Sequence, residues 1–205
     1  MNKKAIEDVL AIARRMDAHG LTNAYEGNVS VKDGEHIYIT PSGINKCLLT
    51  EEMVAVVDAE GKQIGGLHKP SSELLLHTAM YNMRSNIGGV VHSHAPFLTA
   101  FAMCNQTFEF PAHAEFVWDH KAVEVLPYGR PGSEDLYRGA DKILEKGRDI
   151  FALANHGVVA VGETVWDALN KLESAEHAAK IYTICKMIGK AQNLPAEELQ
   201  LLMSL

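Results

Sequence analysis

The chain has little cysteine. Its three cysteines, Cys47, Cys104 and Cys185, lie far apart with no CxxC pair among them. An odd, scattered set offers no disulfide framework and reads as reduced packing groups in a cytoplasmic protein. It also has no basic excess: 19 Lys and Arg against 26 Asp and Glu give a net charge of −7 over 205 residues. That balance argues against non-specific nucleic-acid binding, which needs a basic surface. No apolar run is long enough to span a bilayer. The N-terminal segment starts basic, but Glu7, Asp8, Arg14 and Arg15 break any signal-peptide core. The GxGxxG, GxxxxGKS/T and GxSxG patterns are missing as well, so nucleotide-binding and serine-hydrolase readings lack their motifs.

What is present is ordinary globular material, 47% apolar and 22% charged, without repeats, linkers or low-complexity tracts. Ile6, Val9, Leu10, Ala13 and Met16 predict a first helix that stops near Gly20. Asn28–Lys32 and His36–Thr40, joined around Asp33-Gly34, predict a hairpin. Thr40-Pro41-Ser42-Gly43 is a turn by composition, Met53–Asp58 a strand and Glu60-Gly61-Lys62 a tight turn. Further helices are expected over Ser71–Met83, Ala95–Cys104, Glu134–Lys146, from Thr164 to Gly189, and over Ala196–Met203. Strands are expected at Gly88–His92, Ala122–Leu126, Ile150–Ala154 and Val158–Val161. Hairpin-like links among mixed helices and strands predict an α/β fold whose sheet is not purely parallel.

The chemistry concentrates in a few places. In Val90-Val91-His92-Ser93-His94, alternate residues share one side of a strand, so His92 and His94 aim two imidazoles at one point. An isolated HxH fits a chance pair of packed histidines as well as a metal site. Asn155-His156-Gly157 follows an apolar strand at a glycine turn. Alone it reads as a turn histidine; with His92 and His94 it completes three nitrogens, the usual number of protein ligands in a catalytic zinc site. Lys69-Pro70-Ser71-Ser72-Glu73 reads as a helix opening, with Ser as cap and Glu favoured by the helix dipole. The same hydroxyls and free N–H groups suit a phosphate, and Glu73 beside a metal suits a base. His77, four residues on, offers an alternative partner for Glu73; as a helix-face residue it needs no such role. Gly27-Asn28 and Ser42-Gly43 are turns that could meet the same phosphate.

Five motifs occur in order: Gly27-Asn28-Val29-Ser30, Thr40-Pro41-Ser42-Gly43, Lys69-Pro70-Ser71-Ser72-Glu73, His92-Ser93-His94 and Asn155-His156-Gly157. Over roughly residues 1–190 this series resembles the class II aldolase/adducin family. The resemblance implies one domain over 1–205, a three-layer α/β/α arrangement around a mostly antiparallel central sheet. It implies Zn²⁺ held by His92, His94 and His156, with Glu73 as acid/base that also approaches the metal. Gly27, Asn28, Ser42, Gly43, Ser71 and Ser72 would bind the substrate phosphate. Tyr128, in Pro127-Tyr128, would help protonate the aldehyde oxygen from a neighbouring subunit of a homotetramer with interface active sites. The implied activity is that of a zinc-dependent aldehyde-lyase of carbohydrate metabolism. It cleaves a ketose 1-phosphate, fuculose-like or 5-deoxypentulose-like, to dihydroxyacetone phosphate and an aldehyde through an enediolate. The family also includes a pentulose-5-phosphate 4-epimerase, a methylthioribulose-1-phosphate dehydratase, a sugar-acid phosphate decarboxylase and the non-catalytic adducin head. The aldolase's C-terminal tyrosine has no counterpart here: no tyrosine follows Tyr182.

Overall fold

The computed structural model describes residues 1–205. Eight strands form one sheet: β1 (Asn28–Asp33), β2 (His36–Ile39), β3 (Ala55–Val57), β4 (Gln63–Gly65), β5 (Gly89–Ser93), β6 (Glu124–Leu126), β7 (Ile150–Leu153) and β8 (Gly157–Gly162). Their spatial order is β4-β3-β2-β1-β5-β8-β7-β6. Every neighbouring pair is antiparallel except β6 with β7. Seven α-helices accompany the sheet: α1 (Lys3–Ala18), α2 (Leu74–Met83), α3 (Pro96–Met103), α4 (Ala114–Asp119), α5 (Ala140–Glu145), α6 (Val165–Ile188) and α7 (Ala196–Ser204).

The central strands read as continuous apolar runs because helices cover both faces. In β8, Val158 and Ala160 pack with Leu169, Leu172 and Ala175 of α6, while Val159 and Val161 pack with Leu76 and Met80 of α2. Strand β7 divides the same way, Ile150 and Ala152 to the first face, Phe151 and Leu153 to the second. The result is three layers, α/β/α, around a mostly antiparallel sheet. Close backbone approach fixes one joint: a Cβ at Gly89 would lie 2.2 Å from Val165 Cα, so β5 meets the start of α6 only through glycine.

Several expected elements differ. The helix expected from Ser71 begins at Leu74; the Ser71 hydroxyl instead accepts the Glu73 N–H at 3.2 Å, leaving Glu73 at the helix mouth. The helix expected over Glu134–Lys146 is broken by Gly139, which adopts a left-handed φ of 94°; a 3-10 turn, Glu134–Tyr137, precedes it. The turn at Asn155-His156-Gly157 is made by Asn155, whose φ is 57°, not by the glycine. Helix α4 and strand β4 are too short to show a period in sequence.

Candidate metal centre and substrate cleft

Strands β1, β5 and β8 lie side by side, with Asn28 opposite His92 and His92 opposite Val159. His92 is fully buried and donates its Nδ1–H to the Val158 carbonyl at 3.0 Å. That bond fixes the ring so that Nε2 carries the free lone pair. His94, just past the strand, gives Nδ1–H to Glu26 at 3.1 Å, which likewise turns its Nε2 inward. His156, between β7 and β8, reaches the same point. One ligand atom from each of the three histidines lies within 4.8 Å of the others.

Glu73 closes this group from the mouth of α2. Its Oε2 lies 3.2 Å from His92 Nε2, and its Oε1 lies 3.3 Å from His156 Nε2. Burial pushes the His92 pKa down to about 4, and burial also lowers that of His156. Both rings are therefore neutral at pH 7. Burial disfavours the Glu73 carboxylate, but in the acidic range where it titrates the charge on protonated His92, the Asn28 amide 2.7 Å away and the charge on protonated His156 outweigh burial and hold the pKa below the ordinary range. Lone pairs of neutral imidazoles and an anionic carboxylate thus converge, and Glu73 Oε1 has no hydrogen-bond partner despite being buried. Such a donor set fits a divalent cation with borderline or nitrogen preference. Gly157 supports the fit: a Cβ there would stand 2.9 Å from His94 Cδ2 and 3.0 Å from His92 Cε1.

Above these groups opens a cleft of about 280 Å³, lined by Gly27, Asn28, Ser42, Gly43, Ser71, Ser72, Glu73, His94 and His156 among others. Its rim is built by pairing two loops: Ser42 N–H donates to Lys69 O and Ser71 N–H to Thr40 O, both at 3.1 Å. The buried Lys46 ammonium ties in a third loop through the Tyr25 and Ile44 carbonyls, each at 3.2 Å. All six residues expected at a phosphate therefore share one cavity, together with Glu26, Tyr25, Pro131 and Gly132, which sequence reasoning did not single out. Its wall contains no lysine or arginine. Tyr128 stands apart, 64% exposed and outside the cleft within one chain. A larger groove of about 570 Å³ beside α6 holds no such cluster. Its Glu176 is engaged by the Phe97 and Leu98 N–H groups, and its Glu173 by Arg15 and His19.

The residue whose part sequence reasoning missed is His77. Its face of α2 is fully buried, and the ring is bonded to Ser30 Oγ through Nδ1 at 2.7 Å and to the Asn28 side chain through Nε2. The available signal was the four-residue spacing Glu73, His77, Tyr81 facing the two-residue spacing Asn28, Ser30. Four helical residues rise ~6 Å and two strand residues ~6.6 Å, so the two polar files stay in step.

Three converging imidazoles beside a carboxylate, at the base of a polar cleft, form the arrangement of a metal-dependent enzyme. The chain belongs to the class II aldolase/adducin family: residues 7–183 match its model, described as Class II Aldolase and Adducin N-terminal domain. It is an enzyme of the class II, metal-dependent aldehyde-lyase type. An L-fuculose phosphate aldolase of Methanococcus maripaludis is 38% identical over 156 residues, which covers 76% of this chain and 83% of that one. A 3-oxo-tetronate 4-phosphate decarboxylase of Haemophilus influenzae is 34% identical over 182 residues, 86% of this chain and 85% of its own. A solved L-fuculose 1-phosphate aldolase superposes with a TM-score of 0.89 at 30% identity, covering 100% of this chain and 96% of its own. No helix is long and apolar enough to cross a membrane.

Proposed function

We propose that the chain, acting as one domain over 1–205, is a zinc-dependent aldolase. It cleaves a ketose 1-phosphate, fuculose-like or 5-deoxypentulose-like, into dihydroxyacetone phosphate and an aldehyde. The observation that carries this reading is the meeting of three imidazole nitrogens and Glu73 under a cleft rimmed by hydroxyls and glycines. His92, His94 and His156 would hold the cation, with Glu73 approaching it. When bound, the cation supplies Lewis-acid stabilisation of negative charge developing on substrate oxygens.

The residues of the chain do the rest. Gly27, Asn28, Ser42, Gly43, Ser71 and Ser72 grip the phosphate with neutral donors and fix the sugar's orientation. In the condensation direction the ionised, buried Glu73 takes the proton from C3 of dihydroxyacetone phosphate, the electron pair left on C3 forms the C3–C4 bond to the aldehyde carbon, and the aldehyde oxygen takes a proton to become the C4 hydroxyl. Cleavage is the reverse: the C4 hydroxyl proton leaves to its donor, the C3–C4 electron pair stays on C3, and protonated Glu73 returns its proton there. Tyr128, exposed on one chain, would serve the C4 oxygen of a neighbouring subunit in a homotetramer. A cytoplasmic location suits the three free thiols.

The test is a screen of ketose 1-phosphates with coupled detection of dihydroxyacetone phosphate, with and without chelator. Chelator-sensitive release of that product is expected, and Glu73→Gln should lower kcat by about 10²–10⁴ while zinc is retained. Release of CO₂ from a sugar-acid phosphate instead would favour the decarboxylase, the reaction named for one relative. Epimerised or dehydrated product would also sink the aldolase reading. Absence of bound zinc with a harmless His92→Ala would point to a non-catalytic adducin-like module.

A further inference from the structure

Behind Glu73, on the side away from the cleft, a file of polar side chains runs into a core that is otherwise apolar. Tyr81 Oη lies 2.7 Å from Ser30 Oγ, and Ser30 Oγ lies 2.7 Å from His77 Nδ1. His77 Nε2 makes a short hydrogen bond to Asn28 Oδ1, and Asn28 Nδ2 lies 2.7 Å from Glu73 Oε2. Ser30 and His77 are completely buried, and Tyr81 and Asn28 nearly so. Tyr81, at its inner end, belongs to the same apolar cluster as Val90, Leu76 and Met80. Neither Ser30, His77 nor Tyr81 lines the cleft.

The chemistry of each group fixes the direction of the whole chain. An ionised Glu73 only accepts, so Asn28 presents its NH₂ to it. The Asn28 oxygen then faces His77 and accepts Nε2–H. A neutral imidazole with Nε2 protonated accepts at Nδ1, so Ser30 donates there, and the Ser30 oxygen accepts from the Tyr81 hydroxyl. Burial keeps this ring neutral, its pKa pushed down to about 3. Every donor along the file points toward Glu73, an arrangement in which successive hydrogen bonds polarise one another. Burying four polar groups costs free energy unless each is hydrogen-bonded, and here each finds a partner within the file that ends on Glu73.

We propose that His77 is a positioning residue: it holds the Asn28 amide in the one orientation that aims its N–H at Glu73, with Ser30 and Tyr81 selecting the His77 tautomer that does so. The consequence for turnover rests on Glu73 carrying the proton, as set out above. Without the Nε2–H donor the amide is free to turn over, and its oxygen then opposes the Glu73 carboxylate. Losses of supporting groups of this kind typically cost 10–100-fold.

The test compares His77→Leu, which keeps volume but donates nothing, with His77→Gln, whose amide can still donate to Asn28. In zinc-loaded protein, His77→Leu should lower kcat roughly 10–100-fold with KM nearly unchanged, and His77→Gln should recover most of it. Ring ¹⁵N shifts of the wild type should show His77 as the neutral Nε2–H tautomer, and Ser30→Ala should mix the tautomers and lower kcat. Ser30→Ala also decides the matter if His77→Leu fails to fold. A wild-type ring protonated at Nδ1, or a folded His77→Leu with lower Tm but kcat within twofold, overturns the proposal. A wild type without turnover on any ketose 1-phosphate overturns the aldolase reading alone, because the ring shifts and the Asn28 amide resonances still decide the file.

Discussion

Gly157→Ala perturbs the candidate metal centre without removing a ligand. Gly157 opens β8 directly after His156, and its backbone is not in a left-handed conformation, so the effect of a methyl group there is spatial. The new Cβ would sit 2.5 Å from the Ser93 carbonyl oxygen, 2.9 Å from His94 Cδ2 and 3.0 Å from His92 Cε1. Carbon approaches a carbonyl oxygen no closer than ~3.3 Å even in favourable contacts, so β5 and β8 must part by about 0.8 Å at this point. The first atom struck is backbone between two of the histidines and cannot swing aside. Zinc–nitrogen bonds are ~2.0–2.1 Å and tolerate ~0.2 Å, so the shift is about four times what a ligand can absorb. The expected loss of zinc affinity is about 10–100-fold, or about 1.4–2.7 kcal/mol. Overpacking should also cost the metal-free protein about 1–3 kcal/mol. Competition against a chromophoric chelator measures the first quantity, and urea unfolding of chelator-stripped protein the second. A folded Gly157→Ala protein that binds zinc within twofold of wild type would refute the reasoning, since the histidines could not then depend on β5–β8 proximity.

Other consequences follow from the same geometry. Gly89→Ala should be worse than Gly157→Ala, at or above about 3 kcal/mol, because its Cβ would meet the Val165 backbone at 2.2 Å; soluble yield and urea midpoint report this. Glu176→Ala removes the acceptor of the Phe97 and Leu98 N–H groups, both at 2.8 Å, from a helix with no other side-chain cap. Its cost should be about 2 kcal/mol, with Glu176→Gln intermediate by the same unfolding assay. His120 is buried, bonded to Ser174 Oγ, and has its pKa lowered by burial to about 4. The unfolded chain therefore binds a proton that the native one refuses, so stability is lost as pH falls from about 6.5 toward 4. His120→Gln should flatten that slope by up to about 1.4 kcal/mol per pH unit, measured by urea unfolding at pH 4.5, 5.5 and 6.5. An unchanged slope would mean that His120 is charged in the native state.

What the sequence made legible and what it hid divide along physical lines. Strong periods in long segments carried through: the stripe Val165, Ala168, Leu169, Leu172, Ala175, Ala179 is the buried face of α6, which begins next to Thr164 as expected, with the Thr164 side chain as its cap. The convergence of His92 and His94 was readable because a strand's two-residue period is rigid. What failed was local and short. Pro70-Ser71-Ser72 looks like a cap, but the backbone of Lys69 and Ser71 is used for the loop pairing with Ser42 and Thr40, so the helix starts three residues late. Gly157 looked like a turn glycine, and its reason is steric clearance between strands, which no single-sequence pattern reports. His77 read only as a helix-face residue because nothing in α2 alone says that Asn28 and Ser30 lie beneath it.

That last miss shows why the site sits where it does. Strand β1 turns Val29 to one core and Asn28 and Ser30 to the other, so a single strand of mixed alternation cuts a polar seam into an apolar interface. Helix α2 answers it with Glu73, His77 and Tyr81 at matching rise. His92 first, then the seam's Asn28 amide, then His156 let this carboxylate be both buried and ionised, two properties that oppose each other in a plain apolar pocket. A buried acid without such neighbours rises in pKa, as Glu176 does even with two backbone donors, whereas Glu73 falls. The contrast between two glutamates of similar exposure locates the device in the histidines and the Asn28 amide facing Glu73, not in burial.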